Sequence, residues 1–310
     1  MMLMISVIVP IYNEKENILP LYEKLKNILK EKDEIIFVDD GSTDGSYEIL
    51  KELHSKDKNV KCIKFSRNFG KTAALMAGFE MAKGDVIVTI DGDLQNDPED
   101  IPKLVEKLDE YDAVNGWRYD RKDPFLSKKL PSAISNKISR WLTGLKLHDF
   151  NCGLKAYKKE CLDGLELYGE MHRYIPAILA WKGYKVGEVK VKHYPRKYGK
   201  SKYGMARLAR GLFDLINFKF WAGYSTRPLH FFGGIGLTMF LAGFLINFYL
   251  LILKLFYGET LSNRPLLLLG ILLMIMGFQI FMTGFLAEIM IRNYYSSSNK
   301  KIYVIKEKLE

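Results

Sequence analysis

The chain has 310 residues, a net charge of +10 and 48% apolar residues. Its cysteines, Cys62, Cys152 and Cys161, are odd in number and share no CxxC spacing, which suggests neither a disulfide framework nor a zinc site, and reduced, buried thiols are expected. The apolar residues are unevenly spread: residues 1–200 read as a soluble α/β protein, and 229–290 hold two long apolar runs.

In chain order, Ile5 to Pro10 is an apolar run that predicts a central strand. The start, MMLMISVIVPIYNE, lacks a basic leader and a small-residue cleavage site, so it is expected to be a strand of a cytoplasmic domain and not a signal peptide. Ile18, Leu21, Leu25, Ile28 and Leu29 follow at helical spacing. Glu34 to Val38 predicts a second strand, stopped by DDGSTDGS, and Tyr47, Ile49, Leu50 and Leu53 predict a second helix. Val60 to Phe65 alternates as a strand, residues 71–83 are helix-forming, and Gly84 breaks to a strand over Asp85 to Asp91. Pro98 opens a helix with Ile101, Leu104, Val105 and Leu108 inward. This βαβα alternation predicts a mostly parallel sheet with helices on both faces. Ligands of such sheets bind beyond the carboxyl ends of the strands. The loops YNE, DDGSTD, SRNFGK and DGDLQND are thus expected to share one edge.

Two basic amphipathic stretches, 126–145 and 203–221, are expected to pack on the domain or, for the second above all, to lie in a lipid interface. His230 to Leu253 and Pro265 to Met290 are each long enough to cross a bilayer, and the short linker makes them a hairpin. Positive charge before the first and after the second predicts that both chain ends are cytoplasmic. Small residues in the first run, Gly233, Gly234 and Gly236, suit close helix packing and a possible homo-oligomer.

The chemistry is concentrated in the loops. Asp91 and Asp93, at i and i+2 where a strand ends, bring two like charges together, which is costly unless a cation joins them. A hard divalent ion fits, with Gln95 a further oxygen donor, and the absence of nearby histidine or cysteine speaks against zinc. Ser42, Thr43 and Asp44 are helix-cap candidates. Asp39 and Asp40 lie where a nucleoside would sit if the metal held its diphosphate. The first loop adds Pro10, Tyr12, Asn13 and Glu14, an acid that can hold a ribose hydroxyl. There is no GxGxxG and no GxxxxGK[ST], so a dinucleotide or P-loop reading is not supported. No nucleic-acid partner is expected.

VIVPIYNE, FVDDGSTDGS, FSRNFGKTAAL and DGDLQNDPE together resemble the GT-A, family 2 inverting glycosyltransferases, and within them the polyprenyl-phosphate branch of dolichyl-phosphate mannose synthases and bacterial undecaprenyl-phosphate sugar transferases. The resemblance spans nearly the whole chain, including the membrane hairpin. It implies a GT-A, Rossmann-like domain over 1–202, an interfacial helix and linker over 203–228, two transmembrane helices over 229–290 and a cytoplasmic tail over 291–310. By it, Asp40 with Asp39, Ser42, Lys71, Asp91 and Gly92 joins the first loop in binding the nucleotide, and Asp93, Gln95 and Asp91 hold Mg2+ or Mn2+. Arg118, Lys129, Ser132, Arg196, Ser201 and Lys202 match the site of the acceptor phosphate. Asp149 matches an acid that is either a base or a positioning group; a phosphate monoester, already largely dianionic at neutral pH, hardly needs a base. The ED pair and QxxRW motif of processive polysaccharide synthases are missing, so transfer of a single sugar is expected. Two membrane helices are more similar to the bacterial undecaprenyl-phosphate type, which implies a UDP-sugar donor such as UDP-glucose; the alternatives are GDP-mannose or another acceptor.

Overall fold

The computed structural model describes residues 3–120, 136, 137, 139, 140, 143–167, 169–196, 228–260 and 264–297, without the side chains of 292 and 294–297. Lys129, Ser132, Ser201 and Lys202, the stretch 203–221 and most of 126–145 lie outside the described residues. The chain divides into two compact units, residues 1–217 and 218–310.

The first unit is built on a seven-stranded sheet of order β3-β2-β1-β4-β6-β5-β7. Its strands are β1 Ile5–Ile11, β2 Glu34–Asp39, β3 Val60–Lys64, β4 Val86–Thr89, β5 Ala113–Arg118, β6 Lys155–Lys158 and β7 Val186–Val191. β1 to β4 pair in parallel, as do β5 and β7; β6 runs antiparallel to both β4 and β5. The crossovers carry helices α1 Lys15–Ile28, α2 Ser46–Lys56, α3 Lys71–Met81 and the short α4 Ile101–Glu106, which is flanked by 3-10 turns.

Strand alternation explains the layering, because successive side chains leave on opposite faces. Val7, Val9 and Ile11 join Ile18, Leu21 and Leu25 of α1, Leu50 of α2 and Leu104 of α4 in one buried cluster. Ile8, out of phase with them, meets α3 on the other face, where Gly78 lets the helix approach. The mostly parallel, two-layered covering expected from the βαβα pattern is therefore present, with the YNE, DDGSTD, SRNFGK and DGDLQND loops all leaving the carboxyl ends of β1 to β4.

Several boundaries and caps differ from the sequence reading. The strand expected over Asp85 to Asp91 pairs only over Val86–Thr89. The capping position of α2 belongs to Gly45, with φ 87° and no capping side chain, and not to Ser42, Thr43 or Asp44. Ser42 and Thr43 are drawn to the first loop instead, where Asn13 N donates to Ser42 Oγ (2.9 Å) and Thr43 N to Asn13 Oδ1 (2.8 Å), while Asp44 meets the start of both helices, its Oδ1 accepting from Ser46 N of α2 (3.0 Å) and its Oδ2 from Lys15 N of α1 (3.1 Å). All three cysteines are free; Cys152 and Cys161 are buried, whereas Cys62 is half-buried.

The second unit contains two helices, Pro228–Tyr257 and Pro265–Ser297, that are long and apolar enough to cross a membrane. They are antiparallel and touch through glycines spaced by seven residues. A Cβ on Gly243 would lie 2.4 Å from the Gly270 carbonyl, and one on Gly236 2.5 Å from that of Gly277. A seam of small residues lets helix backbones come this close. Gly236 is thus occupied within the chain, while Gly234 faces open space. Leu245, Phe248, Leu268, Phe278 and Leu286 are exposed on the outside of the pair, a surface suited to lipid and not to water. Replacing Gly243 with Leu is expected to loosen the hairpin, whereas Gly234→Leu leaves it intact. Helix loss in a titration with sodium dodecyl sulfate measures the difference; equal resistance of the two variants contradicts the seam.

Candidate active site

The site is assembled where the strands end. After β1, Asn13 adopts φ 51°, and this turn sends Glu14 inward. Glu14 accepts from Asn17 Nδ2 (2.6 Å) and from Arg196 Nη1 (3.0 Å). Pro10 and Tyr12 are half-buried beside it. After β2, Asp39 is fully buried; its Oδ1 accepts from Ser42 N at 3.3 Å, and its Oδ2 meets no donor among the described residues. Asp40 takes the amide of Phe69 (2.7 Å) and that of Gly70 (2.9 Å), which ties the DDGSTD loop to SRNFGK. Burial raises the Asp40 pKa against the lowering by those amides and outweighs them. Gly41 is required at this junction: its φ is +72°, and a Cβ would stand 2.4 Å from the backbone of Arg67.

The DGD turn after β4 sets its two acids apart. Asp91 is paired with the Lys71 ammonium from the start of α3. Burial acts to raise the Asp91 pKa, but Lys71 beside it, with Arg118 and Lys155 farther away, brings it below the ordinary carboxylate value. Asp93 accepts from Arg196 Nη2 (2.8 Å) and from Gln95 N (3.2 Å). Burial, then the charge of Asp91, raises the Asp93 pKa in spite of Arg196. Gly92 is buried between the two acids.

Arg196 is delivered by a short strap. Tyr194 N donates to Gln95 O (2.9 Å), Gln95 Nε2 to Tyr194 O (3.3 Å) and Tyr194 OH to Asp97 (3.0 Å), while Asn96 and His193 form an isolated bridge. Residues 193–196 therefore run stitched to the DGDLQND loop, and the guanidinium ends up bridging Glu14 and Asp93.

Farther along the edge, β5 ends in Arg118. Its Nε donates to Asp149 Oδ2 (2.6 Å) and its Nη2 to Asp149 Oδ1 (3.0 Å), a bidentate pair with 13% and 4% of the two side chains exposed. Although burial opposes the charge, Asp149 raises the Arg118 pKa above its ordinary value. Both Asp149 oxygens are thus engaged by a permanent cation. The turn that carries Asp149 is held by Asn115 Nδ2 on the Asp149 carbonyl (2.5 Å) and by the Phe150 amide on Asn136 Oδ1 (3.3 Å).

All described candidates lie on this one edge, in two groups: the first-loop, DDGSTD and DGD residues with Lys71 and Arg196, and the Arg118–Asp149 pair. Sequence reasoning missed Asn115, Asn136, Gly153 and Lys155, which support the second group. A signal existed in GLKAY, where a lysine opens an otherwise apolar run.

The donors offered by the DGD loop are oxygens, the ligand type of Mg2+ and Mn2+. Among the described residues no three His, Cys, Asp or Glu side chains converge on one point. Two carboxylates and an amide suit an ion that takes its other ligands from a diphosphate and water, as Mg2+ commonly does.

A parallel-sided α/β sheet with acidic loops at its carboxyl edge defines a GT-A-like fold. The model of "Glycosyl transferase family 2" matches residues 6–165, and the chain belongs to that family. It is 39% identical to dodecaprenyl-phosphate galacturonate synthase of Rhizobium johnstonii, over 98% of this chain and 92% of that one. It is 35% identical to undecaprenyl-phosphate 4-deoxy-4-formamido-L-arabinose transferase of Pseudomonas aeruginosa, over 94% and 86%. Glucosyl-3-phosphoglycerate synthase from Mycobacterium tuberculosis, solved with Mn2+, uridine diphosphate and phosphoglyceric acid, shares the fold with a TM-score of 0.57 at 18% identity, over 71% of this chain and 79% of that one.

Removing one partner of a buried ion pair strands the other charge, at a cost of about 3–5 kcal/mol. Arg118→Met and Asp149→Leu are each expected to destabilise the first unit by about that amount, and the double variant by clearly less than the sum. Chemical denaturation of the three variants measures the coupling; additive losses contradict the pair.

Proposed function

We propose that the chain transfers a single sugar from a nucleotide-sugar donor, with inversion, to the phosphate of a polyprenyl lipid at the cytoplasmic face of a membrane. The observation that carries this reading is that the acids of the first, DDGSTD and DGD loops share one edge of the sheet with the Arg118 guanidinium, which Asp149 holds in a fixed direction. Relatives named as polyprenyl-phosphate sugar transferases, aligned over nearly the full chain, support the acceptor. The two long apolar helices support a location where such an acceptor is found. The donor is read as a UDP-sugar such as UDP-glucose, with GDP-mannose the alternative.

In this reading Asp93, Asp91 and Gln95 hold Mg2+ or Mn2+, which when bound neutralises charge building on the departing diphosphate. The unsatisfied Oδ2 of Asp39 offers an acceptor to an N–H of the base. Glu14 receives a ribose hydroxyl, and Asp40 keeps the DDGSTD and SRNFGK loops in register around the nucleoside. Arg118 meets the acceptor phosphate, with Asp149 orienting the guanidinium instead of removing a proton. Arg196 serves the acceptor phosphate, a role also given by resemblance to Ser201, Lys202, Lys129 and Ser132. Bringing two anions into line is mainly a matter of orientation, which can supply several kcal/mol.

Asp93→Asn is expected to reduce transfer by at least about a hundredfold while leaving the fold and membrane insertion intact. The assay is a panel of UDP-glucose, UDP-galacturonate and GDP-mannose with a short polyprenyl phosphate and Mn2+. Full activity of the variant with metal chelated rejects the reading, and preference for a sugar-chain primer over the lipid replaces its acceptor.

A further inference from the structure

One buried cation at the edge takes no part in the chemistry above. Lys155 is the first residue of β6, paired in register with Thr89 of β4 and Asn115 of β5. Because β6 runs antiparallel to both, its beginning lies where its neighbours end, on the ligand edge. The side chain is 4% exposed in the middle of the sheet. Its Nζ donates to the Phe150 carbonyl at 3.2 Å and forms no ion pair among the described residues. The titratable groups facing it are Cys152, Lys71, Asp149 and Asp91.

The carbonyl that Lys155 holds belongs to the turn on which the two halves of the site meet. Asp149, at the start of that turn, grips Arg118. Gly153, at its end, lies against Asp91 so closely that a Cβ would stand 2.3 Å from the carboxylate, and its carbonyl accepts from Thr89 Oγ1 (2.9 Å). The Lys155 side chain thus closes this turn by folding back on it. An ammonium used for packing alone is a poor choice here. Its desolvation is not returned by any paired carboxylate, and an apolar side chain of similar length would suit the fold better.

We propose that Lys155 is a positioning residue for the acceptor: seated on the Phe150 carbonyl, its ammonium fixes the turn that places the Arg118–Asp149 pair beside Asp91, and it lends that turn positive charge when the lipid phosphate arrives. The proposal rests on the polyprenyl-phosphate reading given above. Burial pushes the Lys155 pKa down to about 7. The charge is therefore present below about 7 and lost as pH rises through that value, while the phosphate gains its second charge above about 6.

The test uses the full chain in lipid nanodiscs with a short polyprenyl phosphate, comparing Lys155→Met and Lys155→Arg with the unaltered protein. Lys155→Met is expected to raise KM for the acceptor about tenfold or more with KM for the donor within about twofold. Its Tm is expected at or above the original. Acceptor kcat/KM of the unaltered protein is expected to fall as pH rises through about 7, and this alkaline limb is expected to disappear in Lys155→Met. In Lys155→Arg it shifts upward, because a guanidinium stays charged, and acceptor KM is largely restored. An unchanged acceptor KM in Lys155→Met overturns the proposal, and so does a parallel loss of both substrates that Lys155→Arg does not rescue. If Lys155→Met fails to fold, Lys155→Arg decides: an alkaline limb unmoved from its original place overturns the role. Absence of transfer to the lipid in the unaltered protein sinks the acceptor reading and the proposal together, whereas transfer with an indifferent Lys155 sinks the proposal alone.

Discussion

Like charge crowded at the carboxyl edge of one sheet is the constraint on which the rest of this site depends. Glu14, Asp39, Asp40, Asp91, Asp93 and Asp149 all project from strand ends or the turns beside them, and four of the six are at most 4% or 9% exposed. Carboxylates so placed repel one another and lose their hydration. The fold answers five of the six with specific donors: Lys71 for Asp91, Arg196 for Asp93 and Glu14 together, Arg118 for Asp149, and the Phe69 and Gly70 amides for Asp40; Asp39 keeps one oxygen unmet among the described residues. These donors come from distant parts of the chain, so the acids act as the hub around which loops separated by up to 182 residues are gathered.

In the function proposed above, the same economy lets an acidic site serve anionic substrates. Arg118 and Arg196 are neutralised by carboxylates, yet each keeps donors beyond those it uses, since a guanidinium offers five N–H groups. A guanidinium fixed by an acid on one side is oriented toward a phosphate on the other, with its rotamer freedom already spent in folding. Asp149 has both oxygens on Arg118, and in the function proposed above that geometry gives it a value in direction and not in proton transfer.

Much of this was legible in the linear chain, and the failures are instructive. β1, β2 and β4 announce themselves because central strands buried on both faces read as unbroken apolar runs, such as IIFV and VIVT, while the edge strand β3, VKCIK, is legible from its alternation. β5, β6 and β7 escaped notice: NGWR, KAYK and VGEVKV are short and interrupted by polar residues and glycine. Of the cap candidates for α2, Asp44 does accept the first helical amide although Gly45 holds the capping position, whereas the first loop takes the Ser42 hydroxyl and the Thr43 amide. Lys155 went unseen for a related reason. A lysine at a strand boundary ordinarily reads as solvated, and only the insertion of β6 between β4 and β5 puts it inside.

The linear pattern already carried the alternating architecture, the four loops that share an edge, the oxygen-rich DGD turn and the two helices long enough for a bilayer. Each follows from local pattern, since periodicity and turn chemistry act over a few residues. The tertiary structure alone decided which charge meets which, that one strand runs against the others, and that the hairpin glycines serve their own chain. Those outcomes depend on atoms brought together across many residues, where burial and distance, and not neighbourhood in sequence, set the energy.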